Sequence, residues 1–332
     1  MERKKVILSG MRPTGRLHIG HYVGALESWI ELQDKFQNYH LIADYHNLTT
    51  NLDTGNIYDD TINMVIDWIA AGINPEKSPI FRQSKVKQHT ELFLIFSMLI
   101  TKARLEKNPT LKEQVRDLNL ESITYGHLGY PVLQAADILL YKGELVPVGE
   151  DQVPHIEITR QIADAFNSRY TLANGVKVFP VPEAKITKFA RLPGLDGKTK
   201  MSKSLNNSIL ISDSDEEIRS KMRKAFTDPN KLRKGDKGNP EICLVFTYHK
   251  KFNPNEVEEI KQGCSSGILG CVDCKNNISN KISNFFLSVR EKRQQLENNK
   301  QYIVDVLEAG EKRASEIAEN TMQEVRKAMS IG

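Results

Sequence analysis

The sequence predicts an α/β fold: an open, doubly wound parallel sheet followed by a smaller, all-helical second domain. Three observations carry this. Short apolar runs ended by glycine or polar residues recur through the first 200 residues. Segments with apolar residues at helical spacing lie between them, the alternation of a parallel sheet covered on both faces. After Ser204 the strand-like runs give way to charged helices joined by Asn, Asp, Pro and Gly, as in Asp228-Pro229-Asn230 and Asn253-Pro254-Asn255.

Val6-Ile7-Leu8, ended by Ser9-Gly10, reads as the first buried strand. From Gly20 onward Val23, Leu26, Trp29 and Ile30 recur at helical spacing. His40-Leu41-Ile42-Ala43 is the second strand, and a helix over about 56–71 is closed by Gly72. Pro79-Ile80-Phe81 reads as a third strand and 92–100 as a buried helix. A helix over 130–141 carries Pro131 in its first turns, before the strand Leu145-Val146-Pro147-Val148 and a helix over roughly 152–166. The chain therefore divides into a catalytic-type domain at 1–204, a helical domain at 205–309 and a terminal helix at 310–332. That last helix puts Ala314, Ile317, Ala318, Val325, Ala328 and Met329 on one side and is expected to pack back on the first domain.

At 332 residues, 39% hydrophobic and 27% charged, the composition is that of an ordinary globular protein. The net charge of +4 permits a nucleic-acid partner without demanding one. The longest apolar stretch, 92–100, is far too short to span a bilayer, and the run after Lys4-Lys5 ends too soon for a signal peptide. A cytoplasmic location is expected. A disulfide framework is then not, which leaves four cysteines to explain.

Two stretches carry chemistry. Pro13-Thr14-Gly15-Arg16-Leu17-His18-Ile19-Gly20-His21 follows the first strand and opens a helix. Ligands of open α/β sheets bind at the carboxyl ends of strands, and a helix N-terminus there suits phosphate. Two imidazoles on such a turn are able to donate to phosphoryl oxygens. Some 180 residues later comes Lys200-Met201-Ser202-Lys203-Ser204, a polar loop with two cations and two hydroxyls suited to a pyrophosphate. A third constellation is the cysteines Cys243, Cys264, Cys271 and Cys274, spaced C-x20-C-x6-C-x2-C. Four clustered thiols suggest one metal site, and by pattern alone structural zinc and a 4Fe–4S cluster stand level. Beside them, Arg219–Lys237 holds eight Lys/Arg against two Asp, either a solvated face or a strip for phosphates.

With His18-Ile19-Gly20-His21 and Lys200 to Ser204 the sequence resembles the class I aminoacyl-tRNA synthetases, whose HIGH and KMSKS signatures both stand unaltered. The likeness is closest to bacterial tryptophanyl enzymes. It is supported by Met11-Arg12-Pro13-Thr14-Gly15, Ile42-Ala43-Asp44-Tyr45-His46, Val146 to Gln152, and Thr321 to Met329. The resemblance implies a Rossmann-like catalytic domain, activation of an amino acid by ATP with Mg2+, and transfer to the terminal adenosine of tRNA(Trp) by a homodimer.

It assigns His18, His21, Lys200 and Lys203 to catalysis. Arg12, Pro13, Thr14, Gly20, Gly149, Glu150, Asp151, Met201, Ser202 and Ser204 join His21 and the two lysines around ATP. Asp137 becomes the acceptor for the indole N–H, with Tyr130, Gln134, Gln152, His46 and Gly10 around it. Gln134 stands where many tryptophanyl enzymes carry methionine, and Tyr130-x3-Gln134-x2-Asp137 is also found in tyrosyl enzymes, so tyrosine is the alternative substrate. A nucleotidyltransferase without RNA and a non-enzymatic tRNA-binding relative are more distant alternatives. The resemblance also favours a 4Fe–4S cluster on the four cysteines over Zn2+, since some bacterial members hold one in C-x22-C-x6-C-x2-C, two residues longer in the first gap.

Overall fold

A computed structural model describes residues 3–117, 120–186 and 192–331. Five strands, β1 (Val6–Met11), β2 (Gln37–Ile42), β3 (Ile80–Arg82), β4 (Leu145–Val148) and β5 (Glu183–Ile186), form one sheet in the order β3-β2-β1-β4-β5. Every neighbouring pair is parallel. The order reverses direction between β1 and β4, which opens a crevice at their carboxyl ends. Four strands match the apolar runs of the sequence. The fifth does not, because Glu183-Ala184-Lys185-Ile186 is an edge strand whose exposed residues need no apolar side chains.

The helices around the sheet are α1 (Ile57–Ala71), α2 (Gln88–Ser97), α3 (Tyr125–Leu140) and α4 (Val153–Arg169). Then come α5 (Asp215–Arg223), α6 (Leu244–Phe252), α7 (Val257–Ser266), α8 (Cys271–Phe285), α9 (Leu287–Glu297) and α10 (Lys300–Met329). Two expectations need correction. The α3 helix begins at Tyr125, capped by Thr124, whose side chain accepts from the His127 N–H at 3.1 Å, so Pro131 lies inside the helix rather than in its first turns. Its Tyr-Gly-His start has no apolar periodicity to announce it. The last helix begins at Lys300, ten residues earlier than its apolar face suggested.

Two apolar cores cover the two faces of the sheet. One contains Trp29, Trp68, Ile80, Tyr248, Ile278 and Leu307; it runs without a break from the sheet into the helices beyond 205. The other holds Phe81, Phe96, Leu139 and Phe166. The α10 helix contributes Ile303 and Leu307 to the first core and Ala314, Ala318, Met322 and Val325 to the second, so it crosses the β3 edge. Gly310 makes the crossing possible: a Cβ there would sit 1.9 Å from the Ile80 carbonyl oxygen. Gly310→Ala is expected to force helix and strand apart and cost about 3 kcal/mol, read as a fall in urea midpoint at unchanged slope.

A buried ion pair ties the helical part to the first turn of the site. Asp67 of α1 accepts from Arg293 of α9, and its other oxygen takes the Leu17 backbone N–H at 2.6 Å, one residue before His18. None of the helices among the described residues is long and apolar enough to cross a membrane.

Candidate active site

A cavity of about 360 Å³ opens where β1 and β4 diverge. Its lining includes Gly10 and Arg12 after β1, His46 after β2, Tyr130, Gln134 and Asp137 of α3, and Gly149 and Gln152 after β4. The six residues grouped in the sequence as an amino-acid pocket all line this one space. Helical spacing places Tyr130, Gln134 and Asp137 on one face of α3, while the strand ends bring in the others.

Asp137 is buried at the cavity floor with both oxygens engaged. Oδ2 accepts from His46 Nε2 at 2.8 Å; Oδ1 accepts from Gln83 Nε2 at 2.7 Å and His89 Nδ1 at 2.6 Å. Burial alone would raise its pKa, yet the hydrogen bond from His46 and the charge and hydrogen bond of His89 outweigh it and hold the carboxyl down at about 2. A carboxylate only accepts, so His89 donates from Nδ1, and its Nε2 lies 2.9 Å from the Tyr141 hydroxyl. Gln83 and His89 were missed in the sequence. Their only signal was a buried polar residue directly after the β3 run, Ile80-Phe81-Arg82-Gln83. Tyr130 Oη meets His155 Nε2 at 2.5 Å, and Gln152 Oε1 lies 3.1 Å from His155 Nδ1.

The histidine pair is self-organised. His18 Nδ1 accepts from the His21 backbone N–H at 3.2 Å, and His21 Nδ1 accepts from the His18 N–H at 3.4 Å. The rings stack with centroids 3.6 Å apart. With both Nδ1 atoms acting as acceptors, both Nε2 atoms carry hydrogen and remain free to donate. Burial, then the nearby Lys203 charge, lowers His18 to about 4; burial, then His18 and Lys203, lowers His21 to about 3. Both are neutral donors near pH 7. Gly20 is required by this arrangement as well, since a Cβ there would stand 3.0 Å from His18 Nδ1 and 3.4 Å from Met201 Sδ.

Neutral burial has a consequence for stability. His18 and His155, each lowered to about 4, and His40, lowered to about 3 between Trp29 and Trp68, are protonated in the unfolded chain below its ordinary value of 6.5 but not in the folded one. Unfolding therefore takes up protons, and stability present above pH 6.5 is lost as pH falls towards 4. Each histidine contributes on the order of 1.4 kcal/mol per pH unit within that window. Denaturant midpoints at pH 7.5, 6 and 5 are expected to decline in that order.

The lysine loop reaches the histidines by strand-like pairing. The Ile19 N–H donates to the Ile209 carbonyl at 2.9 Å and the Ile211 N–H to the Leu17 carbonyl at 3.0 Å. This lays 209–211 beside 17–19. Lys203 donates from Nζ to the Thr14 carbonyl and, at 3.1 Å, to the Arg16 carbonyl. Asn207 braces the loop: its Oδ1 accepts from the Ser202 N–H at 2.7 Å, and its Nδ2 donates to the Lys200 carbonyl at 3.1 Å. Ser202 and Ser204 hydroxyls pair at 2.9 Å, Met201 is buried and Lys200 projects to solvent. Arg12 donates to Thr50 Oγ1 at 2.9 Å, whereas Pro13 and Thr14 line a separate polar cavity of about 240 Å³ with Asn47, Asp53 and Asp60. Glu150 and Asp151 form the short turn after β4, beside the main cavity but not among its lining residues.

The four cysteines sit at the ends of three helices. Cys243 caps the N-terminus of α6, Cys271 and Cys274 occupy the first turn of α8, and Cys264 lies in the last turn of α7. Burial, then the charges of Cys243, Cys264 and Cys271, push the Cys274 thiol up to about 12, which makes all four electrostatic neighbours. Among the described residues, no three His, Cys, Asp or Glu side chains are set to hold a metal ion. The 231–238 loop packs on this region through the Gly238 N–H, donated to the Cys264 carbonyl at 2.9 Å; Arg233, Lys234 and Lys237 remain exposed on it.

A family model described as tRNA synthetases class I (W and Y) matches residues 1–287. The tryptophan–tRNA ligase of Thermotoga maritima is 47% identical, and that of Aquifex aeolicus 41% identical, each over 98% of this chain and 99% of the relative. Among solved structures, the tryptophanyl-tRNA synthetase of Campylobacter jejuni complexed with ADP and tryptophan matches with a TM-score of 0.85 at 32% identity. That match covers 98% of this chain and 99% of the other.

Proposed function

Because the chain belongs to the class I tRNA synthetases of the tryptophan and tyrosine group, we propose that the cavity between β1 and β4 activates an amino acid for transfer to tRNA. The protein acts as a tryptophan–tRNA ligase. It joins L-tryptophan and ATP, which enters as its Mg2+ complex, into tryptophanyl-adenylate and pyrophosphate, then passes tryptophan to tRNA(Trp). Similarity to tryptophan enzymes over the whole chain is the observation that carries this, and it sets the tyrosine alternative aside.

In this reading Asp137 accepts the indole N–H, with Tyr130, Gln134, Gln152, His46 and Gly10 around the ring. The carboxylate of tryptophan attacks the α-phosphorus of ATP and the bond to pyrophosphate breaks. His18 and His21 donate Nε2–H bonds to oxygens gathering charge, and Lys203, with Lys200 after the loop closes, compensates the departing pyrophosphate. Arg12, Pro13, Thr14 and Gly20 border the nucleotide, as do Gly149, Glu150, Asp151, Met201, Ser202 and Ser204. Tryptophan-dependent exchange of pyrophosphate into ATP tests the assignment. Exchange with tryptophan and not tyrosine is expected, and exchange with tyrosine alone would overturn it.

The finer parts of the reading concern 205–309 and the assembly. This segment is proposed to recognise the anticodon, with 1–204 catalytic and the helix within 310–332 bracing it. The exposed Arg233, Lys234 and Lys237 support an RNA-facing surface. A 4Fe–4S cluster is proposed on Cys243, Cys264, Cys271 and Cys274. Three of these thiols lie at helix N-termini, whose dipoles favour thiolates. Held by these four residues, a cluster would tie α6, α7 and α8 together. Removing its iron is expected to lower tRNA charging by more than it lowers pyrophosphate exchange; equal losses would separate the cysteines from RNA recognition. A cytoplasmic homodimer completes the proposal, supported by Leu94, Met98 and Tyr125, large apolar side chains exposed around α2 and α3.

A further inference from the structure

Asp67 is fully buried in α1, and its partner Arg293 of α9 is only 3% exposed. A buried ion pair is not by default a stabilising feature, because removing both charges from water offsets their attraction. Here every group is engaged. Arg293 donates from Nη1 to Asp67 and, at 3.3 Å, to the Asn63 carbonyl; Nη2 reaches Asn63 Oδ1 and Glu297 Oε1, each at 2.9 Å. Glu297, one turn further along α9, also meets Arg16 Nη2 at 3.5 Å. The second Asp67 oxygen takes the Leu17 N–H. That N–H and the Arg16 carbonyl are the two ends of one planar peptide group. The carbonyl end accepts from Lys203 Nζ at 3.1 Å. One peptide dipole thus lies between a buried anion and the ammonium of the lysine loop, its positive end towards the anion and its negative end towards the cation. Hydrogen bonds in such a line polarise one another, so the carboxylate makes the Arg16 carbonyl a stronger acceptor. Burial pushes the Asp67 carboxyl up to about 6 against the pull of Arg293 and the Leu17 N–H, which leaves it ionised at pH 7.5. Burial lowers the Lys203 ammonium, and the charges of Asp60 and Asp67 oppose that shift.

Resting on the reading of Lys203 as a group of the activation site, we infer that Asp67 is a positioning residue: through the Arg16–Leu17 peptide it seats Lys203 beside the histidine turn, and Arg293 keeps its carboxylate aimed. Asp67 touches neither substrate. It acts through the peptide that precedes His18, and α9 holds that peptide from two sides, by Arg293 through Asp67 and by Glu297 through the Arg16 side chain.

The test is tryptophan-dependent pyrophosphate exchange at pH 7.5 on the full-length chain, in a cycle of wild type, Asp67→Asn, Lys203→Met and the double variant. Asparagine keeps an acceptor for the Leu17 N–H and loses the charge. Asp67→Asn is expected to lower kcat by about 10-fold with both KM values near wild type, within the ~10²-fold that a misplacement of about 1 Å costs. In the Lys203→Met background the same substitution is expected to change kcat by no more than about 2-fold, since coupled residues are not additive. A residue that served stability alone would cost the same in both backgrounds. Asparagine also turns an N–H towards buried Arg293, so the neutral pair Asp67→Asn/Arg293→Gln is carried through the same cycle in case the single variant does not fold. A further readout needs neither. In leucine-labelled protein the Leu17 amide proton is expected to move upfield on Lys203→Met, because its hydrogen bond weakens when the cation at the other end of the peptide is gone. No loss of kcat, equal losses in both backgrounds, or a Leu17 resonance that does not move would overturn the role of Asp67 and leave Lys203 in the site. Exchange unaffected by Lys203→Met would overturn the reading of Lys203 itself, and this inference with it.

Discussion

Asp137→Asn is expected to lower kcat/KM for tryptophan by about 10²–10³-fold while leaving the KM for ATP near its wild-type value. Two effects add. The amide is a weaker acceptor for an indole N–H than a carboxylate, and one charge-assisted hydrogen bond is worth about 1.5–3 kcal/mol. The second is geometric. Gln83, His89 and His46 all donate to Asp137, from both sides of the carboxyl group. Asparagine has one oxygen, so its NH₂ must face a donor in either orientation, and a buried N–H is left unpaired. Tryptophan-dependent pyrophosphate exchange at fixed ATP reads the change. A rise confined to the KM for ATP would remove Asp137 from the amino-acid pocket.

The second large effect is at Lys203. Lys203→Met is expected to lower kcat for exchange by about 10²–10³-fold with little change in either KM, because the charge it compensates develops only as pyrophosphate leaves. Lys203 Nζ lies between the carbonyls of Thr14 and Arg16, a seat for a compact ammonium. A planar guanidinium does not fit it, so Lys203→Arg should recover little. A rate constant unchanged in single-turnover adenylate formation would show that this lysine only holds the loop.

Much of the scaffold was legible because the relevant signals are local. Four of five strands announced themselves as apolar runs, and Tyr130, Gln134 and Asp137 were readable as one face because helical spacing is a property of neighbours. Residues whose importance comes from convergence were not legible. Gln83 and His89 matter only through Asp137, some 50 residues away along the chain. The β5 strand lacked an apolar run because an edge strand needs none, and the start of α3 was hidden by Tyr-Gly-His.

By itself, the sequence determined the fold class and the two signature stretches. Those follow from composition at short range, where spacing alone decides which side chains share a face. Only the tertiary structure decided that 209–211 runs beside 17–19, bringing Lys203 to the histidine turn, and that α10 crosses the β3 edge at Gly310. It also decided protonation. His18 and His21 are neutral Nε2–H donors because each Nδ1 is occupied by the other's backbone N–H inside a buried turn. A histidine's tautomer depends on which groups reach its two nitrogens, and three-dimensional packing sets that.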